Sequence, residues 1–184
     1  MDTTYIIVIA LVLAMAIVGA ILAPIFIRRQ QTKRLQAQFG TEYDHTLQQA
    51  KGDEKQAQTE LETRQKYIAA LDLHPLSVDE RERYLADWAA VQSKFVDEPG
   101  PAIEAADRLI METMLMRGYP VSDFEQRAAD LSVSYPALVS NYRAARAIAL
   151  KNEQQQADTE ELRQAMLAYH SLFDELVETE TVVA

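Results

Sequence analysis

The stretch ELRQAMLAYHSLFDEL, residues 161–176, decides the fold class. Its apolar residues recur every three or four positions and so share one side of an α-helix, which favours packing of that side against other helices. They are Leu162, Ala165, Met166, Tyr169, Leu172, Phe173 and Leu176. Asp158 or Thr159 caps the start of this helix, so the stretch predicts an amphipathic helix at the C-terminal end of a helical domain.

The segments before this helix have the same period. The polar residues KNEQQQAD, 151–158, predict a loop, and four apolar stripes precede it, each with its own start signal. These signals are Ser77 with Glu80, Pro101, Ser122 with Glu125, and Ser134 with Pro136; Gly118 ends the helix that begins near Pro101. Since no alternating strand pattern competes, residues 73–184 are predicted to form an all-α, compact multi-helix bundle.

Residues 35–72 predict a helical stalk. Apolar residues between Thr41 and Leu71 follow three- and four-residue steps, interrupted by Glu54 and Arg64, and a Thr41-x-x-Asp44 cap would begin a helix of about 46 Å. Gly40 and Gly52 are its weak points, and Gly40 is the favoured hinge. The stripe allows pairing with a second copy or folding back as a hairpin within one chain.

The N-terminal segment YIIVIALVLAMAIVGAILAPIFI, Tyr5 to Ile27, carries no charge over 23 positions. At about 1.5 Å per residue it spans roughly 35 Å, enough for a hydrocarbon core of about 30 Å. A cleaved signal peptide is the alternative, but it has a basic start and a shorter apolar core, whereas Asp2 precedes this segment. We therefore predict a single N-terminal transmembrane helix, within an anchor of residues 1–34.

Basic residues predict the orientation of this anchor, and small residues predict how it packs. Four basic residues follow the apolar segment: Arg28, Arg29, Lys33 and Arg34. The positive-inside rule then places the N-terminus outside and the C-terminal part in the cytoplasm, with the basic collar at the lipid bilayer. Small residues share one side of the segment and favour close packing with another membrane helix: Ala16, Gly19, Ala20 and Ala23.

The charge of the remaining chain excludes one class of partner. The full chain has 18 basic and 28 acidic residues; four of the basic residues form the collar and one acidic residue, Asp2, precedes it. From Leu35 onward there are therefore 14 basic and 27 acidic residues, a net charge of −13. Such a surface repels phosphate, so we expect no nucleic-acid binding.

The sequence holds few signals of chemistry. The absence of cysteine excludes disulfides, thiol nucleophiles and Cys-ligated metals. Glu42-x-x-His45 is half of a di-iron motif, but no second Glu-x-x-His exists, and there is no Gly-x-Ser-x-Gly elbow or Gly-rich phosphate loop. We expect no enzyme activity, catalytic residues, metal, cofactor or small-molecule substrate. Candidate partner contacts are Met111, Met116 and Tyr119, although Tyr119 also suits a rigid turn between helices.

Several phrases of the chain resemble a family of uncharacterised bacterial proteins. They are LHPLS (73–77), ERERY (80–84), FVD (95–97), ADRL (106–109), RGYPVSDFEQRAADLSV (117–133), NYR (141–143), ELRQA (161–165) and FDEL (173–176). The similarity covers roughly Phe39 to Val177. It implies a small, membrane-anchored helical protein of the bacterial inner membrane and brings no catalytic residue, cofactor or substrate.

Three functions remain open at this point. The first is a non-enzymatic accessory protein that docks an acidic cytoplasmic domain onto a larger integral-membrane complex, such as a respiratory or photosynthetic one. The second is a self-associating coiled-coil scaffold or tether that uses the Thr41–Leu71 stripe. The third is an enzyme or ligand-binding module whose site is assembled only by the fold.

Overall fold

The computed structural model describes residues 13, 15, 29–120 and 122–178, and all regular structure within them is helical. The chain divides into two compact units, Met1–Gln38 and Phe39–Ala184. In the first, residues 29–38 are helical. The predicted membrane segment lies outside the described residues except for Leu13 and Met15, and no helix of the described part is long and apolar enough to cross a membrane.

Seven helices follow in the described part of the second unit. They are α1 (Thr41–Gln49), α2 (Glu54–Ala69), α3 (Val78–Asp97), α4 (Pro99–Met116), α5 (Phe124–Ser134), α6 (Pro136–Glu153) and α7 (Thr159–Glu178). The all-α prediction is confirmed. Two bounds differ from expectation: α4 begins at Pro99 rather than near Pro101, and α6 continues to Glu153 through part of the predicted loop.

The C-terminal helix α7 lies at the centre of the bundle, where it packs against α3, α4 and α6. Its predicted stripe is buried throughout, and Tyr169, Leu172 and Phe173 are fully covered. Asp158 caps the helix as expected: its carboxylate accepts from the Glu161 amide at 2.8 Å, and Glu161 accepts from the Asp158 amide at 3.1 Å. Burial of this continuous apolar side is what holds the bundle together.

Helix α3 closes one side of this core. Ser77 and Glu80 form the predicted capping box, and the hydrogen bonds from Ser77 lower the pKa of the Glu80 carboxyl. Further along, Trp88 stacks on Phe173 and His170, with ring centroids 4.7 Å and 5.2 Å away. Trp88 is 3% exposed, so α3 is anchored to α7 by one aromatic side chain.

The RGYP turn between α4 and α5 is a Schellman motif. Gly118 has φ of +90°, and its amide and that of Tyr119 donate to the carbonyls of Leu115 and Met114. The predicted helix stop is therefore confirmed. The predicted Ser122 cap is wrong, because the Asp123 carboxylate accepts from the Gln126 amide and caps α5 instead.

The predicted stalk does not form one continuous helix. Residues 50–53 break it, with Lys51 at φ +54° and Gly52 at φ +85°, and Asp53 caps α2. Gly40, at φ +52°, precedes α1, which has no side-chain cap from the predicted Thr41-x-x-Asp44 pair. Helices α1 and α2 pack on each other as a hairpin, which we call the arm, and the arm lies against α5 and α6. Two glycine breaks, rather than one at Gly40, explain the difference.

Candidate interaction groove

An open groove of about 540 Å³ separates the arm from the bundle. One wall is α2, with Glu60, Thr63 and Tyr67, and the other is the start of α5, with Glu125 and Gln126. Arg64, Ala129 and Arg143 also line it. Most of these side chains are polar. The large aromatic side chain at the edge of the groove is Tyr67, which is 43% exposed.

The groove is built on a buried carboxylate, Glu42 of α1, which is 3% exposed. The Arg64 guanidinium of α2 donates Nη1 to Glu42 Oε1 at 3.1 Å. The Arg143 guanidinium of α6 donates Nη2 to Oε1 at 3.1 Å and Nε to Oε2 at 3.4 Å. One carboxylate is thereby held between two guanidiniums, which compensates the cost of removing its charge from water.

Two further carboxylates lie on the outer sides of the same arginines. Arg64 Nη2 donates to Glu60 at 2.9 Å, and Arg143 Nη1 donates to Glu125. Glu60 is 44% exposed and Glu125 is 63% exposed, so both present oxygens to solvent at the rim. With Asp123 beside them, the four carboxylates outnumber the two guanidiniums, and the rim of the groove is acidic.

A fifth carboxylate lies behind the groove. Asp130 is fully buried; its Oδ1 accepts from Gln126 Nε2 at 2.7 Å, while Oδ2 has no partner among the described residues. Burial raises the pKa of the Asp130 carboxyl, and the nearby Arg64 charge opposes that rise. Ser132, next in this buried layer, accepts from Arg64 Nη1 at 3.2 Å. The contact between arm and bundle is therefore polar as well as buried.

A second polar cluster joins helices within the bundle. Asp107 of α4 lies 3.6 Å from Arg127 of α5 and 3.8 Å from Arg146 of α6, and it accepts from the Tyr142 hydroxyl at 3.3 Å. Burial raises the pKa of Tyr142 and keeps it protonated as a donor. This cluster ties three helices together and opens onto no groove described above, which indicates a structural role.

Arg117 makes a third polar junction. It is 3% exposed and donates Nη1 to the Tyr135 hydroxyl at 2.8 Å and to the Leu176 carbonyl at 2.9 Å. Its backbone carbonyl accepts from the His74 amide, and its Nε donates to the His74 carbonyl. Arg117 thus joins three parts of the chain at one point. They are the connection between the arm and α3, the start of α6, and the end of α7.

The structure places the predicted contact residues mostly away from free surface. Met111 and Met116 of α4 are half-buried, and Met116 packs against the core. Tyr119 is 2% exposed, with its hydroxyl 3.3 Å from Ser134, because the Schellman turn directs the ring inward. An exposed contact at Tyr119 is therefore corrected to a buried turn residue, and burial raises its pKa.

The other predicted sites have separate outcomes. In the first unit, Arg29, Lys33 and Arg34 are exposed on a helical segment, whereas Arg28 and the four small residues fall outside the described residues: Ala16, Gly19, Ala20 and Ala23. His45 lies 3.8 Å from Glu42, whose oxygens are already used by arginines. Within the described residues no group of three or more metal-ligating side chains exists.

Sequence reasoning missed the groove, because it interpreted Arg64 as a break in an apolar stripe. The signal was the position of Arg64 itself, on the buried side of α2 with Ala57, Leu61 and Ile68. The chain matches no protein-family model, and no curated protein or solved structure is significantly similar to it.

Proposed function

We propose that this protein is a non-enzymatic, membrane-anchored accessory protein that docks its acidic helical domain onto a larger integral-membrane complex. The observation that carries the proposal is the groove between arm and bundle, which is open, lined mostly by residues with polar side chains and rimmed by carboxylates. The bundle beside it has a packed apolar core that fixes the positions of these groups. The apolar segment from Tyr5 to Ile27 supports attachment to the bilayer.

Charge complementarity identifies the kind of partner. The rim carboxylates Glu60 and Glu125 have free oxygens toward solvent, and the chain from Leu35 onward has a net charge of −13. A basic cytoplasmic loop or helix end of an integral-membrane protein has the opposite charge, and the positive-inside rule makes such segments common at that face. Lysine or arginine side chains of that segment would enter the groove from the rim.

The proposed location is the bacterial inner membrane, with the N-terminus outside and the helical domain in the cytoplasm. The basic residues that follow the apolar segment support this orientation. Because the chain contains no cysteine, Ser93→Cys on the exposed side of α3 provides a single thiol for testing it. A membrane-impermeant maleimide is expected to label it only after spheroplasts are permeabilised, and labelling of intact spheroplasts would reverse the orientation.

Docking is tested with the full chain in its own membranes. We would tag the C-terminus, solubilise with a mild detergent and measure the size and composition of what co-elutes. A single integral complex at a fixed ratio is expected, with retention lost in the Glu60→Gln/Glu125→Gln variant and kept in Glu82→Gln, an exposed control on α3. Elution of the wild-type protein alone would overturn the proposal.

Self-association through the Thr41–Leu71 stripe is the alternative. Its apolar residues Tyr43, Ala57 and Leu61 are buried in the folded protein, so a paired coiled coil would first require the arm to unfold or open. Covalent dimers of Leu61→Cys in native membranes would favour this alternative, and exclusively monomeric products would count against it.

A further inference from the structure

The contact between the arm and the rest of the second unit differs from the interior of the bundle. Among buried apolar residues of the arm, Ile68 belongs to the continuous core of the bundle, whereas Tyr43, Ala57 and Leu61 are buried outside it. Arg64 lies between Leu61 and Ile68 on the buried side of α2, and its bonds to Glu42 and Ser132 form a polar layer there. Apolar burial therefore joins the arm to the bundle mainly at its Ile68 end.

The polar contacts in that layer are of two kinds: those within the arm and those between the arm and the bundle. Glu42 and Arg64 both belong to the arm, so their bond remains when the arm moves as a unit. Three described side-chain hydrogen bonds join arm and bundle here: two from Arg143 to Glu42 and one from Arg64 to Ser132. When the arm separates from the bundle, Glu42 keeps Arg64 and Arg143 keeps Glu125. Neither buried charge is therefore left without a partner of opposite charge.

Both ends of the arm have joints. Gly40 precedes α1 with φ of +52° and nothing within 4 Å of the position its Cβ would occupy. After α2, residues 72–77 have no regular structure. The His74 backbone is bound to both the backbone carbonyl and the side chain of Arg117, which fixes the far end of this connection to the bundle. Leu71 and Leu73 pack against the core, and the Asp72 carbonyl lies against Gly118. The pivot of the arm is therefore Ala70, the exposed C-cap of α2.

From this geometry we propose that α1 and α2 form a hinged arm, which opens as a unit from α5 and α6 while α3, α4 and α7 stay folded. Glu42 is the residue that holds the arm closed, through Arg143. Opening uncovers the buried layer of Asp130 and Ser132 and widens the groove. The arm is thus a conformational device of the fold, and its movement does not depend on the docking function proposed above.

Labelling of a buried thiol in the full chain, in detergent micelles, tests the opening. Ser132→Cys gives the chain a single thiol in the layer that the closed arm covers, where Ser132 is 0% exposed. A maleimide is expected to label it in the folded protein, and Glu42→Gln is expected to accelerate the labelling about tenfold, because the bonds from Arg143 are weakened. Glu60→Gln, which removes the solvent-side partner of Arg64, is the control with little effect. A labelling rate that Glu42→Gln leaves unchanged, or no labelling faster than global unfolding, would overturn the proposal.

Hydrogen exchange separates opening of the arm from melting of its two helices. The backbone hydrogen bonds of α1 and α2 lie within each helix, so a rigid movement leaves amides 41–69 protected. In Glu42→Gln, exchange of 41–69 is expected to accelerate much less than labelling of Ser132→Cys, and exchange of α4, α5 and α7 is expected to stay unchanged. Exchange of 41–69 that accelerates as much as the labelling would show melting and would reject a rigid arm. Acceleration in α5 would assign the labelling to unfolding of α5 and would reject it too.

Discussion

Glu42 and Arg143 are joined by two hydrogen bonds, at 3.1 Å and 3.4 Å, although 101 residues separate them in the chain. This pair connects the first helix of the second unit to the sixth. Its carboxylate is 3% exposed and the arginine side chain 16% exposed, so water screens it far less than it screens a surface pair. The position of the arm depends on this relationship.

A double-mutant cycle measures that dependence. Glu42→Gln and Arg143→Gln are each expected to destabilise the second unit, and their coupling energy is expected to be about 1–3 kcal/mol, because each change leaves a desolvated partner. Lys94→Gln with Glu98→Gln, an exposed pair of α3 and its C-cap, is the control, with coupling of about 0.3–0.5 kcal/mol. Urea unfolding followed by circular dichroism gives both values. Equal couplings would mean that burial adds nothing at Glu42.

Substitution of alanine at two glycines with similar φ is expected to reduce stability by different amounts. Gly118 and Gly52 both have positive φ, but a Cβ at Gly118 would lie 2.5 Å from the Asp72 carbonyl oxygen, whereas one at Gly52 would meet nothing within 4 Å. Gly52→Ala is expected to cost about 1–2 kcal/mol from backbone strain alone. Gly118→Ala is expected to cost clearly more, because the Asp72 backbone must also shift. Thermal midpoints of the two variants compare them, and a larger loss for Gly52→Ala would contradict the expectation.

Trp88 is expected to be a major contributor to the stability of the bundle. Its ring is 3% exposed and stacks on two residues of α7, so Trp88→Ala is expected to cost about 3–5 kcal/mol through lost burial and a cavity. Leu167→Ala, on the opposite side of α7 and 51% exposed, is the matched control, with a change of about 0.5 kcal/mol or less. Denaturant unfolding of both variants provides the comparison.

Asp130 predicts a pH-dependent change in stability. Burial raises its pKa in the folded state, so the folded state binds the proton more tightly than the unfolded state does. The contribution of Asp130 to the free energy of unfolding is then greatest below the ordinary aspartate pKa and falls as pH rises through the raised value. Asp130→Asn removes this loss, so its thermal midpoint is expected to exceed that of the wild-type protein at pH 7 and to approach it at low pH. Asp87→Asn, on an exposed position of α3, is the control. Its thermal midpoint is expected to differ from that of the wild-type protein by the same amount at low pH and at pH 7.

Local signals predicted most of the helical architecture. The stripe of α7, the capping box at Ser77 and the stop at Gly118 all depend on residues within one or two turns, and all are confirmed. The cap of α5 was assigned one residue early, since Ser122 and Asp123 both carry a capping oxygen and the sequence offers no means of choosing between them.

The groove could not be predicted in the same way, because its parts come from four helices. Arg64 looked like an interruption of an apolar stripe, and only the approach of Glu42 and Ser132 makes its burial favourable. Likewise, the period of residues 41–71 is the same in a straight stalk and in a hairpin, and the distinction depends on what happens at Lys51 and Gly52.

The Arg117 junction also closes the second unit on itself. Arg117 binds the His74 backbone, the Tyr135 hydroxyl and the Leu176 carbonyl, so the connection that enters the bundle meets the last turns of its final helix. A chain shortened before Leu176 would remove one acceptor of a guanidinium that is 3% exposed. The length of α7 is therefore tied to the packing of a turn 59 residues earlier in the chain.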